Sequence, residues 1–539
     1  MNVLPIVIRE LRVASRGARL YRVRFWTAVA AIACGSYLML WLNSLTAAAA
    51  RGSLVLASLT GAGLLYCAIL AWNAADCVSR EKREGTLGLL FLTDLRGFDV
   101  VLGKLCANAL QSLYGLIAAF PVATCVLVLG GVALQELWRV LLALLNAFFF
   151  SHAAGLLVST FSRDQRRATG GTIALLAAFL LGPPALAAWL RYQGFASGGL
   201  WVEWFSPAYA CTRVNLTGAG VAGFWPSLLL VQLCAWLFLS VASAALPHCW
   251  QERSRRTGLP GGARFGRWCF GSPSFRARLR QRLLDINPFL WLVSRNRLGS
   301  ILVWAILALV LCAWSGLVAA HGLANSLDLF VLVIFVNHSV IKFWMVSESC
   351  AHLGESRRNG ALELLLACTP FSVADILRGQ WQGLRRRFFA PLLAVLLFDA
   401  LLIALSLALA FSGSAVLGLH FVAIAITAMI LLVADFIAIG WVGMWRAMWE
   451  KRPRLAVLQT ILRVMVVPTA LVSLTLVGVP AADRLGTALI FWPLCGLGFD
   501  VVFAATARLK LLTEFRAQTA VPPDIPLGLL GELGQLLGK

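Results

Sequence analysis

Long apolar stretches recur along the whole chain, and they restrict its possible folds more than any other feature. A helix that crosses a bilayer needs about 20 consecutive apolar residues, and the sequence contains about a dozen such stretches. Sixty per cent of the 539 residues are hydrophobic and 13% are charged, whereas soluble domains carry about 25% charged residues. A transmembrane barrel would instead show alternating segments of about ten residues. The predicted fold class is therefore all-α, a polytopic helical membrane protein with about 12 transmembrane helices.

The predicted spans form two sets of six. The first set lies at 25–46, 53–75, 102–130, 138–160, 168–190 and 225–246, and the second at 300–320, 326–347, 388–411, 417–445, 455–478 and 485–507. Loops rich in Lys and Arg alternate with loops that hold few, which predicts an inner-membrane protein with both termini in the cytoplasm. The same bias accounts for the net charge of +22 without a nucleic-acid partner.

The second half of the chain repeats features of the first. The stretch "NVLPIVIRELR" (2–12) is similar to "NPFLWLVSRNR" (287–297), and "REGTLGLLFL" (83–92) to "RNGALELLLA" (358–367). Six spans per half is an even number, so the halves are predicted to be parallel repeats. The predicted domains are a six-span half with an N-terminal interfacial helix (1–246), a basic cytoplasmic linker (247–286), a second six-span half (287–508) and a cytoplasmic tail (509–539).

A short segment, charged at its front and leucine-rich behind, follows the second span of each half: "EKREGTLGLLFLT" at 81–93 and "ESRRNGALELLLACTP" at 355–370. In the first, Ser79 is placed to cap a helix whose first turn holds two acids, and Gly85 would let another backbone approach. Arg357 and Arg358 make the second segment basic. The candidate docking residues are Glu81, Glu84, Gly85, Thr86, Leu87, Leu90 and Phe91 in the first segment and Asn359, Gly360, Leu362, Glu363, Leu365 and Leu366 in the second. Each segment is either an interfacial helix or a helix that docks into a cytoplasmic partner, and the repetition favours docking.

The first segment resembles the permeases of the type-2 ABC exporter family, whose signature at this place is close to E-[KR]-x-x-G-T-L-x-L-L-x-x-T. The matching residues are Glu81, Lys82, Gly85, Thr86, Leu87, Leu89, Leu90 and Thr93. The second segment departs from the signature at Asn359 and Ala361 and follows the family at Glu363, Leu364, Leu365 and Pro370. The resemblance implies that the segments are coupling helices, which receive the motion of an ATPase. It implies a permease subunit of an ATP-driven exporter.

The sequence itself contains no P-loop, the G-x-x-x-x-G-K-[ST] motif that cradles nucleotide phosphates. Gly103–Lys104 is followed by leucine, and Gly538–Lys539 ends the sequence. We therefore expect this chain to be no enzyme and to hold no cofactor, with ATP and Mg²⁺ bound by cytoplasmic ABC ATPase subunits, either two copies or a heterodimer. Membrane lipid is the other expected partner. Accessory or periplasmic subunits and the transported substrate are left open.

Two other classes of protein were weighed. A secondary transporter of the major facilitator type also has six plus six spans, but its G-x-x-x-D-R-x-G-R-[RK] motif between spans 2 and 3 is missing here. A membrane-embedded enzyme would need convergent acids, histidines or metal ligands, and the 13 cysteines form no CxxC pair. Isolated ionisable groups lie inside predicted spans, where they are costly and therefore candidates for function. They are Asp399, Asp435, Asp500 and His338, and they serve either helix pairing or a substrate path.

Overall fold

A computed structural model describes the chain at residues 3–15, 19–42, 48–92, 95–129, 132–163, 165–193, 199–214, 223–249, 272–294, 298–321, 327–410, 415–450, 453–480 and 483–519. All regular elements within these ranges are helices. Up to residue 249 they are α1 (Val3–Ser15), α2 (Arg19–Leu42), α3 (Ala48–Ala75), α4 (Cys77–Glu84), α5 (Thr86–Phe91), α6 (Gly97–Leu129), α7 (Leu134–Phe161), α8 (Gln165–Tyr192), α9 (Gly199–Glu203), α10 (Pro207–Thr212) and α11 (Phe224–Cys249). The all-α fold class is confirmed.

The remaining helices begin at Pro273. They are α12 (Pro273–Leu284), α13 (Pro288–Ser294), α14 (Leu298–His321), α15 (Leu327–Arg358), α16 (Ala361–Cys368), α17 (Val373–Ala410), α18 (Ala415–Trp449), α19 (Pro453–Ile461), a π-helical turn (Leu462–Val466), α20 (Val467–Val477) and α21 (Arg484–Thr519). The chain divides into two compact units, Met1–Thr257 with Ala308–Gly322, and Gly258–Leu307 with Leu323–Lys539. Most of the predicted linker (250–271) and the end of the predicted tail (520–539) lie outside the described residues.

Ten helices of the described chain are long and apolar enough to cross a membrane. They are Gly52–Ala71, Gly97–Val128, Leu134–Phe161, Ala168–Arg191, Phe224–Cys249, Phe330–Arg358, Val373–Ala408, His420–Trp449, Leu455–Val477 and Gly486–Thr519. Most of the predicted span at 25–46 lies in α2 and the predicted span at 300–320 lies in α14. Neither helix is among the ten, and Val303–Cys312 of α14 is a shorter apolar segment of the described chain. The count of twelve spans and the repeat stay predictions.

The core of the first unit lies where α3, α6, α7 and α11 meet. Phe150 on α7 is fully buried there and belongs to one apolar cluster with Val100, Leu105 and Leu239. A Cβ added at Gly155 would lie 2.9 Å from the carbonyl oxygen of Ala71, so this glycine allows α3 and α7 to pack closely, as small residues do between membrane helices. The packing of this core holds the ends of these spans in position. The candidate functional site lies at those ends.

Candidate functional site

Each predicted docking segment is a helical elbow, two helices joined at a glycine. The first elbow (77–91) consists of α4, Gly85 and α5, and the second elbow (355–368) of the last turn of α15, Asn359, Gly360 and α16. Gly85 has φ 70° and Gly360 has φ 68°, and no other described residue has a positive φ. A left-handed backbone costs other residue types roughly 1–2 kcal/mol, so it favours glycine. The same glycine therefore makes the same turn in both units.

The reason for Gly85 differs from the one that the sequence suggested. A Cβ at Gly85 or at Gly360 would meet nothing within 4 Å, so close approach of another backbone is not what requires glycine. The helix boundaries also differ, because α4 starts at Cys77 with Asp76 as its N-cap and ends at Glu84. Ser79 is therefore not the cap, and Glu81 lies in the last turn of α4 instead of a first turn. The helix dipole does not favour acids there.

The first elbow is fastened to the end of α7. The backbone N–H groups of Val78 and Ser79 both donate to the Ser159 hydroxyl oxygen at 3.0 Å. Lys82 donates to the carbonyl oxygen of Thr160, and Arg83 Nη1 donates to that of residue 163 at 2.9 Å. The Ser159 hydroxyl thus serves two N–H groups at the start of α4, and Lys82 serves a carbonyl group at the end of α7, both of which the helix ends leave unpaired. A displacement of α4 therefore acts directly on α7.

The first leucine after each glycine packs into the protein. Leu87 is 2% exposed and Leu362 is 0% exposed, and Leu87 belongs to the cluster around Phe150. The prediction that these two leucines form a docking face is therefore wrong in its choice of residues, because the turn at the glycine directs them inward. Leucines two positions later point outward, Leu89 at 63% and Leu364 at 64% exposure.

The other candidate docking residues differ in exposure. Phe91 packs against the apolar cluster that contains Leu87, and the side chain of Leu90 lies outside the described residues. Those exposed in the structure are Glu84, Gly85, Thr86, Asn359 and Glu363, whereas Gly360, Leu365 and Leu366 are partly buried. The exposed candidates are small or polar, so Leu89 and Leu364 stand out beside them as exposed apolar groups.

Glu81 lies in a partly buried ionic quartet that consists of Arg9, Glu10, Glu81 and Lys104. Lys104 Nζ contacts Glu81 Oε1, and it lies 3.0 Å from Glu10 Oε1. Arg9 Nη2 lies 2.7 Å from Glu10 and 3.4 Å from Glu81. The side chains of Lys104 and Glu81 are only 5% and 10% exposed, so the pair is shielded from water. The quartet is electrically neutral and joins α1, α4 and α6.

The pKa of Glu10 on α1 reflects this arrangement. Burial raises the pKa of Glu10, but attraction to Lys104 and hydrogen bonds from Arg9 and Lys104 lower it more, so that it lies below its usual value. The pKa of Arg9 is raised, mainly by its hydrogen bond to Glu10. Both groups are therefore held in their charged forms at neutral pH.

Sequence reasoning missed Lys104, which was weighed only as part of a P-loop. The signal was a lysine near the start of an apolar span, since such a charge needs a partner. Glu81 is consequently an internal residue, and on the surface Glu84 pairs with Arg80 at 2.8 Å. The expectation of an acidic first segment and a basic second segment is therefore not met at the first elbow.

The span after each elbow starts in the same way. The N–H of Arg96 donates to Asp99 Oδ2 at 3.2 Å, and the N–H of Ser372 donates to Asp375 Oδ2 at 3.1 Å. The sequence then reads "DVVLGKL" in α6 and "DILRGQW" in α17, so Gln380 stands where Lys104 stands. Gln380 is fully buried, and neither polar atom of its side chain has a hydrogen-bond partner in the described chain. The polar contacts of the two elbows thus differ.

The four ionisable candidates inside predicted spans form two sets of contacts in the second unit. His338 Nε2 lies 2.7 Å from Asp399 Oδ2, which joins α15 and α17. Lys342 Nζ contacts Asp435 Oδ2, and this joins α15 and α18. Asp500 on α21 is buried and interacts electrostatically with Asp435 and Lys342. These contacts support helix pairing, which was one of the two interpretations of these residues.

A metal site has no support in the described residues, where no group of three or more His, Cys, Asp or Glu could hold an ion. A third polar contact had not been predicted. Glu348 on α15 contacts Arg387 on α17, and its Oε1 accepts from Nε2 of His352 at 3.1 Å. It extends the polar pairing between α15 and α17 towards the second elbow.

Comparison with known families identifies the chain. A family model described as "ABC-2 family transporter protein" matches residues 28–316, which is more than half of the 539 residues. The match includes the first elbow and ends before the second. A search of curated proteins found no match. Proteins of this family are membrane permease components of ABC transporters, which work with an ABC ATPase. The chain therefore belongs to the ABC-2 transporter family and is a multi-pass membrane permease component of an ABC transporter.

Proposed function

We propose that this permease couples ATP hydrolysis by separate ABC ATPase subunits to the export of a substrate, and that the two elbows are where those subunits dock. One observation carries the proposal. At each elbow a left-handed glycine anchors one leucine in the fold (Leu87, Leu362) and leaves the leucine two residues later exposed (Leu89, Leu364). Membership in the ABC-2 family speaks against the alternative of a major facilitator transporter.

The geometry suits the transmission of force. Leu89 stands on a short helix whose opposite side, through Leu87, packs in one cluster with Val100 of α6 and Phe150 of α7. Buried, well-packed contacts transmit displacement because interiors are close to crystal density. A partner that pushes on Leu89 would therefore displace two spans together.

The proposed assembly contains one permease chain and two ATPase subunits, because the chain carries two elbows. ATP and Mg²⁺ would be bound by those subunits, which are either identical or a heterodimer. Both termini would lie in the cytoplasm and the spans in the inner membrane. The mass of the purified complex tests this stoichiometry, and two permease chains per two ATPases would contradict it.

Paired leucine substitutions test the docking sites. The tagged full chain is expressed in its native host, and the ABC ATPase that co-purifies with it is quantified. Leu89→Asp and Leu364→Asp place a charge on an exposed position, so we expect folded protein that has lost most of its ATPase. Leu87→Asp and Leu362→Asp place a charge in the core, where an unpaired carboxylate is strongly unfavourable, so we expect loss of folded protein in size-exclusion chromatography.

Leu134→Asp is the matched control, because Leu134 is also exposed (60%) but lies at the opposite end of α7 from the first elbow. It should keep both the fold and the ATPase. The docking proposal fails if the Leu89 and Leu364 variants are folded and retain the ATPase fully. It also fails if no ABC ATPase co-purifies with the unmodified chain.

The membrane sidedness is tested within the first unit. Single cysteines at Arg80 on the first elbow and at Trp201 on α9, both exposed, are labelled with a membrane-impermeant maleimide in intact cells and in inverted vesicles. The unmodified chain measures the background from native cysteines. We expect residue 201 to react in cells and residue 80 only in inverted vesicles. Reaction of both on one side would contradict the predicted topology.

A further inference from the structure

Three cationic side chains surround one tryptophan in the second unit. The guanidinium carbon of Arg446 lies 4.4 Å from the ring centre of Trp445, that of Arg463 lies 5.6 Å away, and Lys510 Nζ lies 5.3 Å away. They come from three elements, α18, the π-helical turn and α21. A fourth cation, Arg508 on α21, lies 5.6 Å from the ring centre of the neighbouring Trp441. We call Arg446, Arg463, Arg508 and Lys510 the cation cluster.

The described negative charge near the cluster is small. Two guanidinium groups share one neutral acceptor, since Arg446 and Arg463 both donate to Gln459 Oε1, the latter at 2.9 Å. The carboxylate of Glu450 lies 3.9 Å from Arg446, at the limit of an ion pair. Arg446 and Arg463 repel one another, and their partial burial strengthens the repulsion, whereas Arg508 and Lys510 are exposed. The aromatic face of Trp445 offsets part of this electrostatic repulsion. The amide oxygen of Gln459 accepts hydrogen bonds but supplies no negative charge.

Two buried donors at the cluster have no acceptor in the described chain. They are Nε of Arg446 and Nε1 of Trp445, and Trp445 is only 8% exposed. Buried donors are nearly always hydrogen-bonded in folded proteins, and each unpaired one is costly. All the unmatched groups here are donors, so the missing partner is a group that only accepts and carries negative charge. A phosphate group has both properties.

The backbone at the cluster is specialised as well. Arg463 lies in the π-helical turn Leu462–Val466, between α19 and α20. A π-helical turn inside a helix is rare, weakens the regular hydrogen bonding, and occurs frequently at functional sites. Arg463 faces Trp445 from this turn.

The position of the cation cluster in the chain indicates which kind of molecule supplies the phosphate. Arg446 is at the end of α18, and Arg508 and Lys510 follow the last predicted span (485–507), so the cluster lies at predicted cytoplasmic ends. Tryptophans favour the headgroup level of a bilayer, and basic pockets between helices on this side bind acidic headgroups. We propose that the cation cluster binds the phosphate of an anionic phospholipid. A zwitterionic lipid fits less well, because its ammonium group would meet the cations.

Native mass spectrometry of the full chain tests the proposal. The purified protein is titrated with phosphatidylglycerol or with phosphatidylcholine of the same acyl chains, and bound lipid is counted. We expect one phosphatidylglycerol molecule to bind about ten times more tightly than phosphatidylcholine, a difference of about 1.4 kcal/mol. Arg463→Gln and Lys510→Gln should each reduce this preference severalfold. Arg385→Gln removes an exposed charge from α17 and should leave it unchanged.

Each other outcome overturns the proposal. Equal binding of both lipids to the unmodified chain would show that no anionic headgroup is selected. Unchanged preference in the Arg463 and Lys510 variants would place the lipid elsewhere, and an equal loss in the Arg385 variant would indicate general surface charge. If inorganic phosphate at the lipid concentration displaces the lipid completely, the cluster is a site for small anions instead. Elution in size-exclusion chromatography confirms that each variant is folded.

Discussion

Replacing Lys104 by methionine removes one cation from the ionic quartet and shortens the side chain by only one atom. The removal leaves the largely buried carboxylate of Glu81 with Arg9 at 3.4 Å, and Arg9 is 52% exposed, so water weakens that attraction. Breaking a buried ion pair costs about 3–5 kcal/mol. Because Arg9 remains, we expect the free energy of unfolding to fall by about 3 kcal/mol, the lower end of that range.

A double-mutant cycle separates the ion pair from general packing. Glu81→Leu alone leaves Lys104 with Glu10 at 3.0 Å and should cost about 2–3 kcal/mol. The double variant Lys104→Met with Glu81→Leu leaves the neutral pair Arg9–Glu10 at 2.7 Å and an apolar contact between α4 and α6. Exchange of a buried pair for apolar groups is often neutral. We therefore expect the double variant to be more stable than Lys104→Met.

Unfolding by sodium dodecyl sulfate in mixed micelles, followed by tryptophan fluorescence, gives the free energies. The control is Arg80→Gln, which breaks the exposed i,i+4 pair with Glu84 and should cost no more than about 0.5 kcal/mol. If Lys104→Met matches this control, the quartet does not stabilise the fold. If the two single effects add in the double variant, the residues are not coupled and the argument from burial is refuted.

The same assay checks three further expectations. Gly85→Ala should cost about 1–2 kcal/mol because of its left-handed backbone, whereas Gly170→Ala inside α8, where a Cβ also meets nothing within 4 Å, should cost nothing. Glu10 has a lowered pKa, so its contribution is complete above pH 4.5 and should be lost as the pH falls from there through its folded pKa; Glu10→Gln should abolish that slope. Asp435→Leu should destabilise the second unit by removing the carboxylate that contacts Lys342 Nζ, which leaves only the interaction of Lys342 with Asp500, and Lys342→Met in the same chain should restore part of the loss.

The spans were predictable because the composition of each one is determined directly by the lipid around it. A helix in lipid must satisfy its own backbone and present apolar side chains over its whole length, so composition alone locates it. The predicted spans at 53–75 and 138–160 coincide with α3 and α7 within a few residues at each end. The ends of α17 and α21 were less predictable. Both helices extend beyond the apolar run, α17 starting at Val373 instead of residue 388, since helical hydrogen bonding continues into charged sequence.

The elbows were predictable in position but not in orientation. The repeated glycine and leucines located both segments, and the left-handed backbone then determined which leucine faces inward. An apolar stripe on a helix indicates that this face of the helix is covered. It does not indicate whether the rest of the protein or a partner covers that face. Leu87 was therefore assigned to a partner although it lies in the core, and Leu89 was not chosen although it is exposed.

Gln380 extends the comparison of the two elbows to a prediction of opposite sign. Lys104 has two acidic partners, whereas Gln380, at the same place in the sequence, is fully buried with both polar atoms unpaired in the described chain. A buried amide without partners costs about 1–3 kcal/mol, and methionine has nearly the same volume as glutamine, so Gln380→Met should create little strain. We expect Gln380→Met to raise the free energy of unfolding by about 1 kcal/mol, whereas the equivalent Lys104→Met lowers it. The free energies of unfolding of the two variants, measured under the same conditions, test this expectation. A loss of stability in Gln380→Met would show that its amide has a partner in the folded protein, and the two spans would then be more alike than the structure indicates.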